Sequence, residues 1–165
     1  MKPITYITGD ITNPLYSGVK IIAHCCNDLG KMGSGVALAL CTKWESVRSY
    51  YITWSHSRNE KAPFALGEVQ FVNPDKFLWI ANIIGQHGIK TGSNGVPVRY
   101  DAIRKGLATV ADKAKELGAS VHLPRIGSQR AGGKWEIIER IIQEELCAKD
   151  LTVYVYTLPS EVGNF

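Results

Sequence analysis

The sequence predicts an α/β layered sheet containing both parallel and antiparallel strand pairs, and three observations predict it. Strand-like apolar segments alternate with stretches of helical period along most of the chain. One pair of strand-like segments, Gly67 to Val72 and Phe77 to Ile84, is joined only by Asn73-Pro74-Asp75-Lys76, too short for a crossover and therefore antiparallel. The run Val19 to Cys26 is almost continuously apolar, as expected of a strand covered on both faces.

In chain order, Ile4 to Thr8 is rich in β-branched and aromatic residues and reads as a strand ending at Gly9-Asp10. Asp10 opens the turn-rich link Ile11-Thr12-Asn13-Pro14. Val19 to Cys26 carries His24 near its end and runs into Asn27-Asp28-Leu29-Gly30-Lys31-Met32-Gly33-Ser34-Gly35. The helix that begins at about Ser34 is expected to reach Tyr51 or beyond, with Trp44, Tyr50, Tyr51 and Trp54 toward its end. Ser55 to Pro63 is polar and reads as a surface loop before the hairpin.

Gly85 to Pro97 holds glycines at 85, 88, 92 and 95 without apolar periodicity, a loop long enough to be functional or mobile. From Tyr100 to Leu117 the residues Ile103, Leu107, Val110, Ala111 and Ala114 recur at helical spacing, and Gly118 supplies the stop. Ser120 to Pro124 reads as a strand that leads into Arg125-Ile126-Gly127-Ser128-Gln129-Arg130-Ala131-Gly132-Gly133. A helix from about Lys134 to Ala148 buries Trp135, Ile138, Ile141, Ile142 and Leu146, and Leu151 to Thr157 is the last strand.

Over 165 residues, with 45% apolar and 21% charged side chains, the chain is expected to form one domain, residues 1–165, with its own core. A net charge of +4 suits a small anionic ligand, and with no long Lys/Arg block no direct nucleic-acid binding is expected. The four cysteines, at 25, 26, 41 and 147, have neither paired metal-ligand spacing nor disulfide density and read as free buried thiols in a reducing cytoplasm; no metal and no cofactor is expected. The opening Met-Lys-Pro-Ile-Thr-Tyr lacks a signal-peptide pattern and no apolar run spans a bilayer; a cytoplasmic protein, monomeric and without membrane contact, is expected.

The stretch from His24 to Leu40 is the chemical centre of this reading. A strand enters a turn whose glycines, Gly30, Gly33 and Gly35, let a ligand approach the backbone, and a helix N-terminus then directs free N–H groups back at it. The spacing is neither that of the dinucleotide fingerprint nor that of the phosphate loop. The alternative is a tight strand-to-helix turn with no ligand. In a parallel sheet ligands settle beyond the carboxyl ends of the strands, where the loops after Asn27, Ile84 and Pro124 emerge.

Three groups of residues stand in register: Gly9-Asp10-Ile11-Thr12; Asn27 with Met32-Gly33-Ser34-Gly35; and Pro124-Arg125-Ile126-Gly127 with Gly132-Gly133-Lys134-Trp135. Together they resemble the macro domain, and within it the branch of yeast-type ADP-ribose-1''-phosphate phosphatases and vertebrate terminal ADP-ribose glycohydrolases. The resemblance implies a three-layer α/β/α fold with a mixed, largely parallel sheet of about six strands. It implies ADP-ribose and ADP-ribosylated proteins as partners and hydrolysis of ADP-ribose from them as the activity. Asp10 matches the residue that reads adenine, with the backbone at Ile11 against the ring; otherwise Asp10 is a turn-capping carboxylate. Gly33, Ser34, Gly35 and Val36 would wrap the distal ribose and one phosphate, and Ile126, Gly127, Ser128, Gln129 and Arg130 would hold the pyrophosphate.

The catalytic pattern of the glycohydrolases is broken here. Where those enzymes use a Lys and an Asp, the aligned positions hold Gln86 and Ala131, which excludes a Schiff-base route unless Lys90 or Lys31 substitutes. The remaining candidates near the distal ribose are Asn27, His24, Gln86 and His87. His24 matches a phosphatase-branch histidine or is a buried structural residue, and His87 shuttles protons or lies in solvent. These departures leave a phosphatase and a non-catalytic reader as the alternatives to a hydrolase.

Overall fold

The computed structural model describes residues 2–89, 95–128 and 131–163. In order the elements are β1 (Ile4–Thr8), β2 (Lys20–Asn27), α1 (Gly35–Lys43), α2 (Ser46–Ser55), β3 (Val69–Asp75) and β4 (Leu78–Gln86). They continue with α3 (Tyr100–Leu117), β5 (Ser120–Leu123), α4 (Trp135–Glu145), a 3-10 turn (Cys147–Lys149), β6 (Val153–Thr157) and a second 3-10 turn (Pro159–Glu161). Among the described residues no helix is long and apolar enough to cross a membrane.

The strands form one six-stranded sheet in the order β1-β6-β5-β2-β4-β3. Every neighbouring pair is parallel except β3 with β4, the hairpin that the short connection requires. The parallel strands therefore release their chains at a common edge. Alternation along β2 divides the core: Ile21 and Ala23 pack with Val121, Leu123, Val153 and Val155 under α3 and α4. Ile22 and Cys26 pack with Ile80, Ile84 and Tyr156 under α1 and α2. The arrangement is the three-layer, largely parallel α/β fold that the sequence leads one to expect.

Element boundaries correct the sequence reading in four places. The helix expected to run unbroken from Ser34 past Tyr51 is two helices, because the backbone turns extended at Trp44 (φ −130°, ψ 92°) before α2 starts. The last helix ends at Glu145, and Cys147 to Lys149 tighten into the 3-10 turn before β6. The hairpin strands are shifted along the chain, β3 to Val69–Asp75 from the expected Gly67 to Val72 and β4 to Leu78–Gln86 from the expected Phe77 to Ile84. The first strand falls where its β-branched and aromatic residues place it and α3 where its helical period does, α3 being stopped by Gly118 in the left-handed region (φ 63°).

Candidate functional site

At the common strand edge the loops after β2, β4 and β5 enclose a cavity of about 600 Å³, a volume typical of small-molecule sites. Its walls are residues 24–27 and 31–37 on one side, Gln86 and Ile89 on a second, and residues 124–127 with Ala131 on a third. Among these lining residues the formally charged side chains are Lys31 and Arg125, and there is no carboxylate.

The glycine turn is held in place by polar side chains. Asn27, at the end of β2, uses Oδ1 to accept the N–H groups of Leu29 (3.0 Å) and Lys31 (3.2 Å) and donates Nδ2–H to Lys31 O (2.6 Å). Tyr51 on α2 reaches both Asn27 O (2.6 Å) and Oδ1 (2.9 Å) with its hydroxyl. Burial, and after it the neighbouring Cys26, push that hydroxyl far above its ordinary range, so it stays a donor. Arg48, also on α2, donates from Nε (3.0 Å) and Nη2 (2.8 Å) to Met32 O. Beyond the turn Ser34 makes no side-chain cap, and the first bond back is Leu38 N–H to Ser34 O (3.2 Å). Gly35, Val36 and Ala37, whose N–H groups have no intrahelical carbonyl, line the cavity, so a helix N-terminus of the kind that suits an anion stands in its wall.

His24 borders this wall, but its ring is committed to the sheet. It is 1% exposed, and Nε2 lies 2.5 Å from Oδ1 of Asn82, its register partner on β4. Asn82 Nδ2 donates to Gln70 Oε1 (3.1 Å) on β3 and to Val47 O (3.4 Å), which leaves Oδ1 as the acceptor and puts the proton on His24 Nε2. Burial lowers the ring's pKa to about 4, so it is neutral at pH 7. Its neighbours are inert too: burial raises the Cys25 thiol to about 12 and lifts Cys26 well above its usual value.

The wall after β5 is built differently. Gly133 N–H donates to Gly127 O (2.8 Å), and Ser128 bonds Arg125 O through both N–H (3.1 Å) and Oγ–H (2.7 Å). Arg125 is clamped between the rings of Tyr6 (4.9 Å) and Trp135 (4.7 Å), with Nε donating to Thr157 Oγ1 (3.2 Å). Ile126 and Gly127 line the cavity, Ser128 does not, and Gln129 and Arg130 lie outside the described residues. Ala131 stands in the wall at 4% exposure.

On the third side Gln86 donates Nε2–H to Gly88 O (2.9 Å). The next residue, His87, does not line the cavity; its Nδ1 lies 2.7 Å from Asp28 Oδ2, while Asp28 Oδ1 accepts Gly88 N–H (2.8 Å). Lys90 falls outside the described residues.

Of the sequence candidates, the cavity gathers His24, Asn27, Gly33, Ser34, Gly35, Val36, Gln86, Ile126 and Gly127. Asp10 and Ile11 follow β1 at the same edge but do not line it. Asp10 Oδ1 accepts Thr12 N–H (2.9 Å) and Oγ1–H (2.8 Å), the turn-capping role, and Ile11 is buried in the α1/α2 core. Lys43 of α1 ties this loop down through Thr12 O (2.5 Å) and Asn13 Oδ1 (2.8 Å). Sequence reasoning missed Asp28, Arg48 and Tyr51. Only Asp28 carried a signal, as an acidic residue directly after a strand end in a glycine-rich turn. Among the described residues no three His, Cys, Asp or Glu side chains come together as metal ligands.

The family model for the Macro domain matches residues 23–142. A mouse chromodomain-helicase-DNA-binding protein 1-like is 31% identical over 166 residues, covering 94% of this chain but only 18% of its own length. A human ADP-ribose glycohydrolase is 27% identical over 158 residues, covering 94% of this chain and 91% of its own. Among solved structures, a Bacteroides thetaiotaomicron protein of unknown function is 52% identical with a TM-score of 0.90, the match covering 94% of this chain and 98% of that one. A Streptomyces coelicolor macrodomain protein is 47% identical with a TM-score of 0.82, covering 93% and 98%.

Proposed function

The chain belongs to the macro domain family, and from that premise we propose that it binds ADP-ribose in the cavity at the carboxyl edge of its sheet and hydrolyses it from modified proteins, at an ester on the distal ribose. The observation that carries this reading is the donor and charge pattern of the walls. The uncapped first turn of α1 lines the cavity, Lys31 and Arg125 border it, and no lining carboxylate opposes an anionic diphosphate. Gly33 has open space where a Cβ would stand, which lets a ribose or phosphate come against the backbone. The human relative's name, an ADP-ribose glycohydrolase, supports hydrolysis at this kind of site.

The side chains at hand favour an ester. A carboxylate leaves as a stable anion and needs no acid, whereas a serine alkoxide must be protonated as it departs. His24 is neutral and bonded to Asn82, and both lining thiols are held protonated, so none of these supplies that acid near neutral pH. Asn27 keeps one amide N–H beyond its bond to Lys31 O, and with Gln86 it would orient water at the anomeric carbon. The same commitment of His24 counts against a phosphatase. Gln86 and Ala131, standing where the related glycohydrolases carry Lys and Asp, favour a non-catalytic reader as the second reading.

A cytoplasmic monomer acting without a metal is part of the proposal, and the four free cysteines suit a reducing compartment. The test is incubation with protein carrying Glu-linked or Ser-linked ADP-ribose, followed by mass analysis. Free ADP-ribose from the Glu-linked substrate, also in the presence of a chelator, is the expected result. Binding without release would leave the reader, and failure to bind ADP-ribose would overturn both.

A further inference from the structure

We propose that Asp28 is a positioning residue for the cavity: through the backbone of Gly88 it sets the orientation of the Gln86 side-chain amide, so that Oε1 is the acceptor this wall offers to the attacking water; this rests on the hydrolytic reading above. Asp28 directly follows β2 and lies outside the cavity lining, whereas Gln86 ends β4 and belongs to it. Because β2 and β4 are parallel neighbours, their loops emerge side by side and the carboxylate reaches across. Oδ1 accepts Gly88 N–H (2.8 Å) and Oδ2 lies 2.7 Å from His87 Nδ1, so both oxygens are spent on the loop after β4.

The backbone of Gln86 itself is fixed without Asp28. Gln86 pairs with Val98 in an antiparallel bridge, His87 N–H donates to Pro97 O (2.8 Å), and Val98 N–H donates to Ala131 O (2.9 Å) on the wall after β5. Gly88 is the first residue past that bridge. It is left-handed (φ 71°) with open space where a Cβ would stand, and among the described residues Asp28 is what its N–H bonds.

A carbonyl only accepts, so the Gln86 atom 2.9 Å from Gly88 O is Nε2, and Oε1 is turned to the other side, 3.8 Å from Sγ of Cys25, which also lines the cavity. With Gly88 released, its carbonyl no longer holds Nε2, and the amide is free to turn end for end and present a donor where the acceptor stood. Asn27, the other amide of the lining, does not replace that acceptor, because its Oδ1 is taken by Leu29 N–H, Lys31 N–H and the Tyr51 hydroxyl. A water that donates one hydrogen bond to Gln86 Oε1 is held with a lone pair available to the anomeric carbon, and the amide orients it without taking the proton.

The experiment measures single-turnover release from Glu-linked ADP-ribosylated protein beside ADP-ribose affinity by calorimetry. Asp28→Ala removes the acceptor of Gly88 N–H, and Gln86→Met removes the amide at nearly the same length. Each should slow release by ~10-fold or more with affinity within about twofold of wild type, and the double variant should be no slower than Gln86→Met alone. Asp28→Asn keeps a carbonyl oxygen for Gly88 N–H and should restore release to within about threefold of wild type. Wild-type release in Asp28→Ala or Gln86→Met, losses that add in the double variant, no restoration by Asp28→Asn, or a fall in affinity that accounts for the rate would each overturn the positioning role while leaving the hydrolytic reading intact. A wild type that binds ADP-ribose and releases nothing overturns that reading and the role with it.

Discussion

The glycine turn after β2 hangs on side chains reaching in from another helix, whereas the loop after β5 hangs on its own backbone. On the first wall Arg48 and Tyr51 of α2 grip Met32 O and Asn27, and Asn27 holds the turn in its own side-chain bonds. On the second, Gly127 O and Gly133 N–H meet directly, and Gly127 takes a left-handed conformation (φ 72°) with Val98 and Ile138 packed close by. A wall braced by side chains can be loosened one hydrogen bond at a time. A wall braced by backbone contact has no such gradation, and substitutions there should cost folding before they cost binding.

The sharpest way to break this comparison is Gly133→Ala. A Cβ at 133 would stand 2.5 Å from Gly127 O and 2.9 Å from Ile138 Cδ1, and the first of these is backbone that cannot rotate away. Overpacking of this kind should lower unfolding stability by ~3 kcal/mol, read by denaturant titration. A loss of binding at full stability would mean that the β5 wall is not braced by that contact.

Arg48→Met comes next. It removes two charge-assisted donors from Met32 O on a half-buried side chain, which should cost about 2 kcal/mol of stability. Because the turn would be less ordered before binding, ADP-ribose affinity should also fall, by roughly tenfold. Tyr51→Phe leaves the buried ring and deletes only the hydroxyl that serves Asn27 O and Oδ1, at a cost of about 1 kcal/mol. If calorimetry finds affinity unchanged in both variants, α2 is scaffold and not a brace of the site.

What could be read from the sequence follows the same division. Local features were legible: the β-branched and aromatic run of β1, the apolar spacing and glycine stop of α3, and the glycines of both walls all lie in continuous stretches. The break between α1 and α2 was not, because no Gly or Pro marks it. Trp44 turns extended as it packs against the core on that face, and its N–H still bonds Leu40 O (2.8 Å), so tertiary packing overrides a helical period. The braces were hidden for a related reason. Arg48 and Met32 lie 16 residues apart and Asp28 and His87 lie 59 apart, joined only once the sheet has brought β2 beside β4 and laid α2 on it. His24 shows the opposite failure, a residue legible as a candidate whose ring is taken up by a cross-strand ladder to Asn82 and Gln70 that no local pattern reveals.

The smallest expected effect distinguishes what lies beneath the two walls. Under the β2 wall is His24; in β5, beneath the other, is His122, fully buried between Ser120 Oγ (2.8 Å) and the Tyr156 hydroxyl (2.7 Å), which in turn accepts Leu15 N–H. Burial lowers both imidazoles to about 4, with Lys20 adding to the effect at His122. The folded protein therefore keeps both rings neutral down to about pH 4, while the unfolded chain takes up protons near 6.5. Within that window the unfolded state binds more protons, so stability is fully present above 6.5 and drains as pH falls toward 4. Between pH 7 and pH 6 each ring should account for a loss of roughly 0.7 kcal/mol. His24→Asn should abolish one ring's share of the slope and leave the His122 share in place, whatever it does to absolute stability. Denaturant titrations of wild type and variant across that pH range decide it: equal slopes would show that the ring under the β2 wall is not the neutral imidazole that its burial and its bond to Asn82 require.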